Sequence, residues 1–273
     1  MESATGAANI TGADLYDALY QIGYHNGTKH HADKLFEALG RAKKTFGCTK
    51  SSCSVLDVGC SHGGAVRELW KGGWLANGVD VSQFAILAAN SHMHLRDQVH
   101  CATAPCFQTS GATQLPFASA SFDFMLSSDV LEHVEVADVP RAVAEITRVA
   151  RKMAFLKISN RAEGGAKELI KLKSVTEPER LPKQLHATIR GPDFWLDHFE
   201  SNGWVVHHMH EQEDLAYAKG LPWECCTYVM HPKPLGEAGE QVSAHARAYR
   251  ANMSTKLWFR RANRCIIFGK SQC

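Results

Sequence analysis

The chain has 273 residues, 45% of them hydrophobic and 21% charged, with a formal net charge of +2. That length suits one α/β core with insertions better than two domains, and so small a charge leaves no footprint for nucleic acid or a membrane surface. No apolar run approaches the roughly 20 residues that span a bilayer, and the first residues, MESATGAANITGADLY, lack the basic start and apolar run of a secretory signal.

In chain order, the small-residue-rich start is expected to fray as far as Thr11. Leu15, Leu19 and Ile22, then Leu35, Phe36 and Leu39, recur at helical spacing and predict helices ahead of the core. The period then changes. Cys53 to Val58 is a short apolar run that enters a Gly-rich turn at Gly59–Gly64, followed by a helix that Gly72-Gly73 stops. Trp74–Asp80 reads as a second strand, and Ser82 as the N-cap of a helix through His92. A third strand falls within Val99–Thr109, a fourth at Ser121–Leu126, a helix at Val139–Ala150 and a fifth strand at Met153–Ile158. Strands alternating with helices predict βαβ units and a parallel sheet whose strand C-termini share one rim.

Beyond Ser159 the pattern breaks. Residues 160–190 are polar and carry Lys167, Lys171, Lys173, Arg180, Lys183 and Arg190. Pro192 opens a helix that Gly203 closes, and Trp204–Met209 reads as a strand. Residues 211–261 are expected to be irregular, a length that usually serves a site, ahead of a last strand at Arg264–Phe268. The nine cysteines, among them Cys53, Cys101 and Cys265 in apolar runs, form no zinc pattern. They are expected to be free buried thiols, which with the missing signal points to a cytoplasmic protein.

The segment Val55-Leu-Asp-Val-Gly-Cys-Ser-His-Gly-Gly64 carries the chemistry. A strand entering a glycine turn and a helix lets a ligand approach the backbone closely and meet free N–H groups. A dinucleotide pyrophosphate or the methionine end of S-adenosylmethionine could sit there, and Asp80, ending the second strand, would serve the ribose of either. Gly59, Ser61 and Gly64 make only a damaged G-x-G-x-x-G. Asp57 decides between the two ligands. A carboxylate two residues before the first glycine repels a pyrophosphate and attracts an ammonium or sulfonium.

From Val55 to Ser159 the chain resembles the class I methyltransferases that use S-adenosylmethionine, specifically their small-molecule branch. Four linked motifs carry the resemblance: DVGCSHG at Asp57–Gly63, GVDVS at Gly78–Ser82, LPFASASFDF at Leu115–Phe124 and SSDVLEHV at Ser127–Val134. The resemblance implies a Rossmann-like, seven-stranded, mostly parallel sheet flanked by helices, with N-terminal lid helices (1–50) and a cofactor-binding domain (51–273) with insertions near 160–190 and 211–261. It implies that Asp57, Gly59, Cys60, Ser61 and Gly63 hold the aminocarboxypropyl group and Asp80 the ribose. Val81 would flank the adenine, Ala112 and Thr113 meet its edge, and Ser128 and Asp129 line the floor beside the methyl group. Gly111 stands where the family often has an acid for the adenine amino group, which leaves that contact to backbone or Gln114.

Outside the motifs, Tyr16, Tyr20, Tyr24 and His25 form an aromatic run suited to a lid. Tyr24, His25, His133 and His186 are the candidates for the acceptor side. The expected reaction is methyl transfer to a small molecule through oxygen, nitrogen or sulfur, with no metal, nucleic acid or membrane partner. The basic residues after Ser159, with Arg260 and Arg261, could suit an acidic acceptor. Two rival readings are a cofactor-binding partner without turnover and an NAD-dependent oxidoreductase.

Overall fold

The short apolar runs from residue 54 onward form strands buried along nearly their whole length, as parallel strands covered by helices on both faces are, and the strands form one seven-stranded sheet of order β3-β2-β1-β4-β5-β7-β6. The computed structural model describes residues 10, 12–24, 33–49, 51–159, 166–173, 181–206 and 227–232. Its strands are β1 (Ser54–Val58), β2 (Leu75–Asp80), β3 (Phe107–Thr109), β4 (Phe122–Ser128), β5 (Ala150–Lys157), β6 (Trp204–Val206) and β7 (Thr227–Pro232). Its helices are α1 (Gly12–Gln21), α2 (Asp33–Thr45), α3 (Gly64–Lys71), α4 (Gln83–Ser91), α5 (Val139–Val149), α6 (Ala166–Leu172) and α7 (Pro192–Ser201). β1 pairs in parallel with both β2 and β4, and the β2–β3 and β4–β5 pairs are parallel too. β7 runs antiparallel between β5 and β6. The chain therefore winds outward from β1 in one direction and then from β4 in the other. The crevice this opens beyond the C-terminal ends of β1 and β4 is where ligands bind in open α/β sheets.

Alternating side chains feed the two faces. Leu56, Val58, Met125 and Ala154 pack against Val143 and Ile146 of α5 and Trp195 and Phe199 of α7. Val55, Ala76, Phe124 and Phe155 pack against Leu39 of α2, Leu69 and Trp70 of α3 and Ile86 of α4. Burying each such large side chain contributes about 1.5–3 kcal/mol. A third cluster joins Leu15 and Leu19 of α1 to Leu169, Leu172, Leu181 and Leu185, so α1 lies against α6 and the segment that follows it. Asp17 of α1 also accepts from the Phe84 amide at 3.0 Å and from the Ser82 hydroxyl. This fixes the helix over the start of α4, whose N-cap is Ser82, accepting from Ala85 N at 3.1 Å.

The structure locates one expected strand and corrects two expectations. The third strand falls within Val99–Thr109, at residues 107–109. Ahead of them the side chain of Asn77 accepts from the amides of Ala102 and Thr103 and donates to the carbonyls of Thr103 and Pro105. That backbone is thus bonded to a side chain instead of a strand. Next, β7 lies inside the stretch read as irregular. Its period-two signal is two residues long, Tyr228 and Met230, both buried. The strand expected at Arg264–Phe268, the frayed start before Ile10, Arg180, Arg260 and Arg261 lie outside the described residues. Last, Cys53 and Cys101 are not free thiols. Cys48–Cys53 and Cys101–Cys106 are disulfides, each closing a loop of five residues' separation with Cα atoms 5.7 and 5.3 Å apart. Cys60 is free and buried. The pairing removes the free-thiol argument for a reducing compartment. No helix among the described residues is long and apolar enough to cross a membrane.

Candidate active site at the strand ends

β1 delivers Asp57 one residue before its end, and the chain must then turn sharply beneath β4. Gly59 makes the turn at φ 81°, and a Cβ there would lie 2.1 Å from Val130 Cγ2. Glycine is required on both counts, conformation and space. The turn is tied to the neighbouring strand by Gly59 N and Cys60 N, both donating to Val79 O. Ser61 follows at φ 51°, and its amide donates to Asp80 Oδ2 at 2.8 Å, while Ser82 N donates to Asp80 Oδ1 at 2.9 Å. Asp80, the last residue of β2, is in this way held against the glycine turn of β1.

These residues floor a cavity of about 610 Å³, within the usual range for a small-molecule pocket. Asp57, Gly59, Cys60, Ser61, Asp80, Val81, Ala112, Thr113, Ser128 and Asp129 all line it, together with Ser110 and Gly111, whereas Gln114 does not. Gly63 is the exception among the expected cofactor residues. At φ 74° it packs its α-carbon side against Phe107, where a Cβ would meet the ring at 2.6 Å, and Gly64 borders the cavity in its place.

The floor is electrostatically unusual. Asp57 and Asp80 are 5% exposed. Burial, and then the neighbouring Asp80, push the Asp57 carboxyl up to about 7. Burial also raises Asp80, against the amides of Ser82 and Ser61 that favour its charge. Two carboxyls facing one cavity thus resist ionisation until a cation or hydrogen-bond donors arrive. Asp129, at φ 56°, is already paired, with Lys157 Nζ at 2.7 Å.

α1 and the turn that follows it supply the roof. Tyr16, Tyr20 and Tyr24 all line the cavity. The Tyr20 ring stands edge-on to His62 at 5.1 Å and to Tyr24 at 5.7 Å, and its hydroxyl lies 3.5 Å from Asp80 Oδ2. Tyr16 sets its ring 6.3 Å from Tyr24 and 5.8 Å from His133. The far wall comes from Val130, His133, Val134, Glu135 and Asp138 and from Pro182, Gln184, Leu185 and Ala187.

Of the acceptor-side candidates, Tyr24 and His133 border the cavity. His25 lies outside the described residues. His186 is buried and does not border the cavity: its ring packs 4.8 Å from His133, while its neighbours Leu185 and Ala187 face the space. Lys167, Lys171, Lys173, Lys183 and Arg190 do not line the cavity either. Sequence reasoning missed Arg67 and His62, which do. Arg67 Nη1 is buried with no hydrogen-bond partner among the described residues. The signal was there in principle, since Arg67 is in the first turn of the helix after the glycine loop.

Residues 56–158 match the family described as a methyltransferase domain. No curated protein is a significant match to the chain. Among solved structures, the chain is similar to the YcgJ protein from Bacillus subtilis, at 22% identity over 63% of this chain and 70% of that one, with a TM-score of 0.43. It is similar to magnesium protoporphyrin IX methyltransferase from Synechocystis PCC 6803 with bound SAH, at 17% identity over 72% and 87%, TM-score 0.46. It is also similar to phosphoethanolamine N-methyltransferase 2 from Haemonchus contortus, at 16% identity over 87% and 53%, TM-score 0.47.

Proposed function

Because residues 56–158 match a methyltransferase domain, we propose that the chain is a class I methyltransferase that transfers the methyl group of S-adenosylmethionine to a small-molecule acceptor. One observation carries this reading: two buried carboxyls, Asp57 and Asp80, face a single cavity at the ends of adjacent strands. Asp57 receives the ammonium of the methionine moiety, and the Gly59–Ser61 turn wraps that moiety. Asp80 accepts from the ribose hydroxyls. Val81, Gly111, Ala112 and Thr113 enclose the adenine, with no side-chain acid for its amino group. Arg67 is the cation at hand for the methionine carboxylate.

Methyl transfer from a sulfonium is an in-line displacement from an activated donor. The leaving thioether is neutral, so the protein's task is to align nucleophile, methyl carbon and sulfur in a dry site. The tyrosine roof excludes water and offers ring faces to the sulfonium. On the acceptor side stand Tyr16, Tyr24 and His133. Because His133 Nδ1 lies 3.0 Å from Leu185 O, it carries the proton and donates it there, which leaves the lone pair on Nε2. That lone pair is the group available to handle the proton of a hydroxyl or ammonium acceptor. Glu135 and Asp138 share this end of the cavity, and the lysines once suited to an acidic acceptor do not line it. The reading therefore favours a neutral or cationic acceptor over an acidic one.

The test is release of S-adenosylhomocysteine from the purified protein given the cofactor and pooled hydroxyl and amine metabolites. Turnover on any acceptor supports the reading. Cofactor binding without turnover across the pools favours a non-catalytic partner protein. Asp80→Ala is expected to weaken cofactor binding by about 1–3 kcal/mol, the cost of hydrogen bonds to a charged group. Calorimetric titration measures it, and an unchanged affinity removes Asp80 from the ribose.

A further inference from the structure

We propose that Glu132, His133 and His186 form a divalent metal site, of the kind that takes Zn²⁺, at the acceptor end of the cavity. The inference rests on the proposed function only for what the metal serves; the site itself stands on the following geometry.

One ligand atom from each of the three side chains lies within 4.8 Å of the others. Two imidazoles and a carboxylate are the donor set of catalytic zinc sites, which leave a fourth position open. Ligand atoms around such an ion stand roughly 3.4 Å apart, given metal–ligand distances of about 2.0–2.2 Å, so small side-chain rotations close the set. The second observation is independent of the cluster's make-up. Glu132 is completely buried, its Oε1 accepts from Ser159 N at 3.1 Å, and its Oε2 is buried with no hydrogen-bond partner among the described residues. A buried carboxylate oxygen left unsatisfied is costly, and the nearby cation, Lys157, is spent on Asp129.

The surroundings are those of a held ligand set. His133 donates Nδ1–H to Leu185 O, the outer-sphere bond that fixes a metal-binding imidazole with its Nε2 lone pair outward. The two ligand-bearing segments are laced together by Thr188 N donating to Glu132 O at 2.9 Å and Thr188 Oγ1 donating to Val134 O at 2.6 Å. Glu132 and His186 approach from the protein side, and His133 borders the cavity. The open coordination position therefore faces the acceptor, and in the metal-loaded protein the His133 Nε2 assigned above to the acceptor's proton is a ligand, whereas in the metal-free protein it keeps that role. An ion there selects acceptors that carry an oxygen donor.

The test uses the full chain, stripped with a chelator and titrated with Zn²⁺ in competition with a chromophoric chelator, then with Co²⁺ for its visible spectrum. One equivalent of each is expected, with a Co²⁺ spectrum free of thiolate charge-transfer bands. Glu132→Gln and His186→Asn should each weaken Zn²⁺ binding by at least about tenfold, since even outer-sphere partners cost about 10–100-fold. Both variants should keep wild-type affinity for S-adenosylmethionine, which certifies their fold. Absence of stoichiometric metal in the wild-type protein overturns the site, as does binding unchanged in the folded variants or a thiolate spectrum that places the ion on cysteines. If the stripped protein forms S-adenosylhomocysteine at full rate and takes up no metal, this proposal fails while the methyltransferase reading stands. If the protein does not bind the cofactor at all, the reading itself fails.

Discussion

Gly59→Ala is expected to reduce S-adenosylmethionine binding by well over tenfold and to destabilise the protein by about 2–5 kcal/mol. Two costs add. A residue with a Cβ held in the left-handed region loses roughly 1–2 kcal/mol, and Gly59 sits at φ 81°. The new methyl group would also lie 2.1 Å from Val130 Cγ2, and overpacking of this kind costs about 1–3 kcal/mol. Relief by backbone movement is blocked on one side, because Gly59 N and Cys60 N are both bonded to Val79 O. The remaining movement is into the cavity, where the proposed methionine moiety lies. The double variant Gly59→Ala/Val130→Ala isolates the terms: it should recover the packing cost and keep the conformational one. Chemical denaturation and calorimetric titration measure both quantities. Wild-type affinity in Gly59→Ala would mean that this turn does not embrace the cofactor.

The same turn shows what the sequence could and could not convey. Asp57, Gly59 and Ser61 fall within five residues, so one local conformation brings them together and a linear pattern exposes them. Asp80 needed one further step, the parallel pairing of β1 with β2, which alternating strands and helices imply. Gly63 resembles its neighbours in the motif, yet its side faces Phe107, forty-four residues away in a strand whose position no local pattern announces. Tyr20 lies sixty residues from Asp80, and His186 packs on His133 across the full width of α5, β5 and α6. Such contacts are set by how a helix docks, not by spacing. The disulfides were misread for a different reason. Apolar neighbours suggested buried thiols, but burial and pairing are compatible, and only the loop geometry brings Cys48 to Cys53 and Cys101 to Cys106. β7 was missed because a six-residue strand ending in proline offers too short an alternation to stand out from its surroundings.

Cofactor affinity is expected to rise with pH by about tenfold per unit between pH 5 and 7, level off, and turn down above pH 8. The cause is Asp57, whose carboxyl is raised from 3.8 to about 7 by burial and by Asp80. In the ligand-free fold it therefore holds a proton through that window that the unfolded chain has already released. The folded state binds more protons, so the stability of the ligand-free protein falls as pH rises from about 4 to 7. A cationic ammonium favours the carboxylate, and below pH 7 binding must expel the proton first. That costs about 1.4 kcal/mol per pH unit below the raised value. Above pH 8 the ligand's own ammonium is lost, since α-amino groups titrate near 7.7–8.0. Titration at pH 6 in two buffers of different ionisation enthalpy should register close to one proton released per cofactor bound. Asp80, raised by burial as well, adds to the slope, so Asp57→Asn is the decisive comparison: it should bind more weakly at pH 7 and lose most of the dependence. A wild-type affinity that is flat from pH 5 to 7, with no proton released, would place the ammonium somewhere other than against Asp57. The charge of the floor would then have to be explained by another ligand.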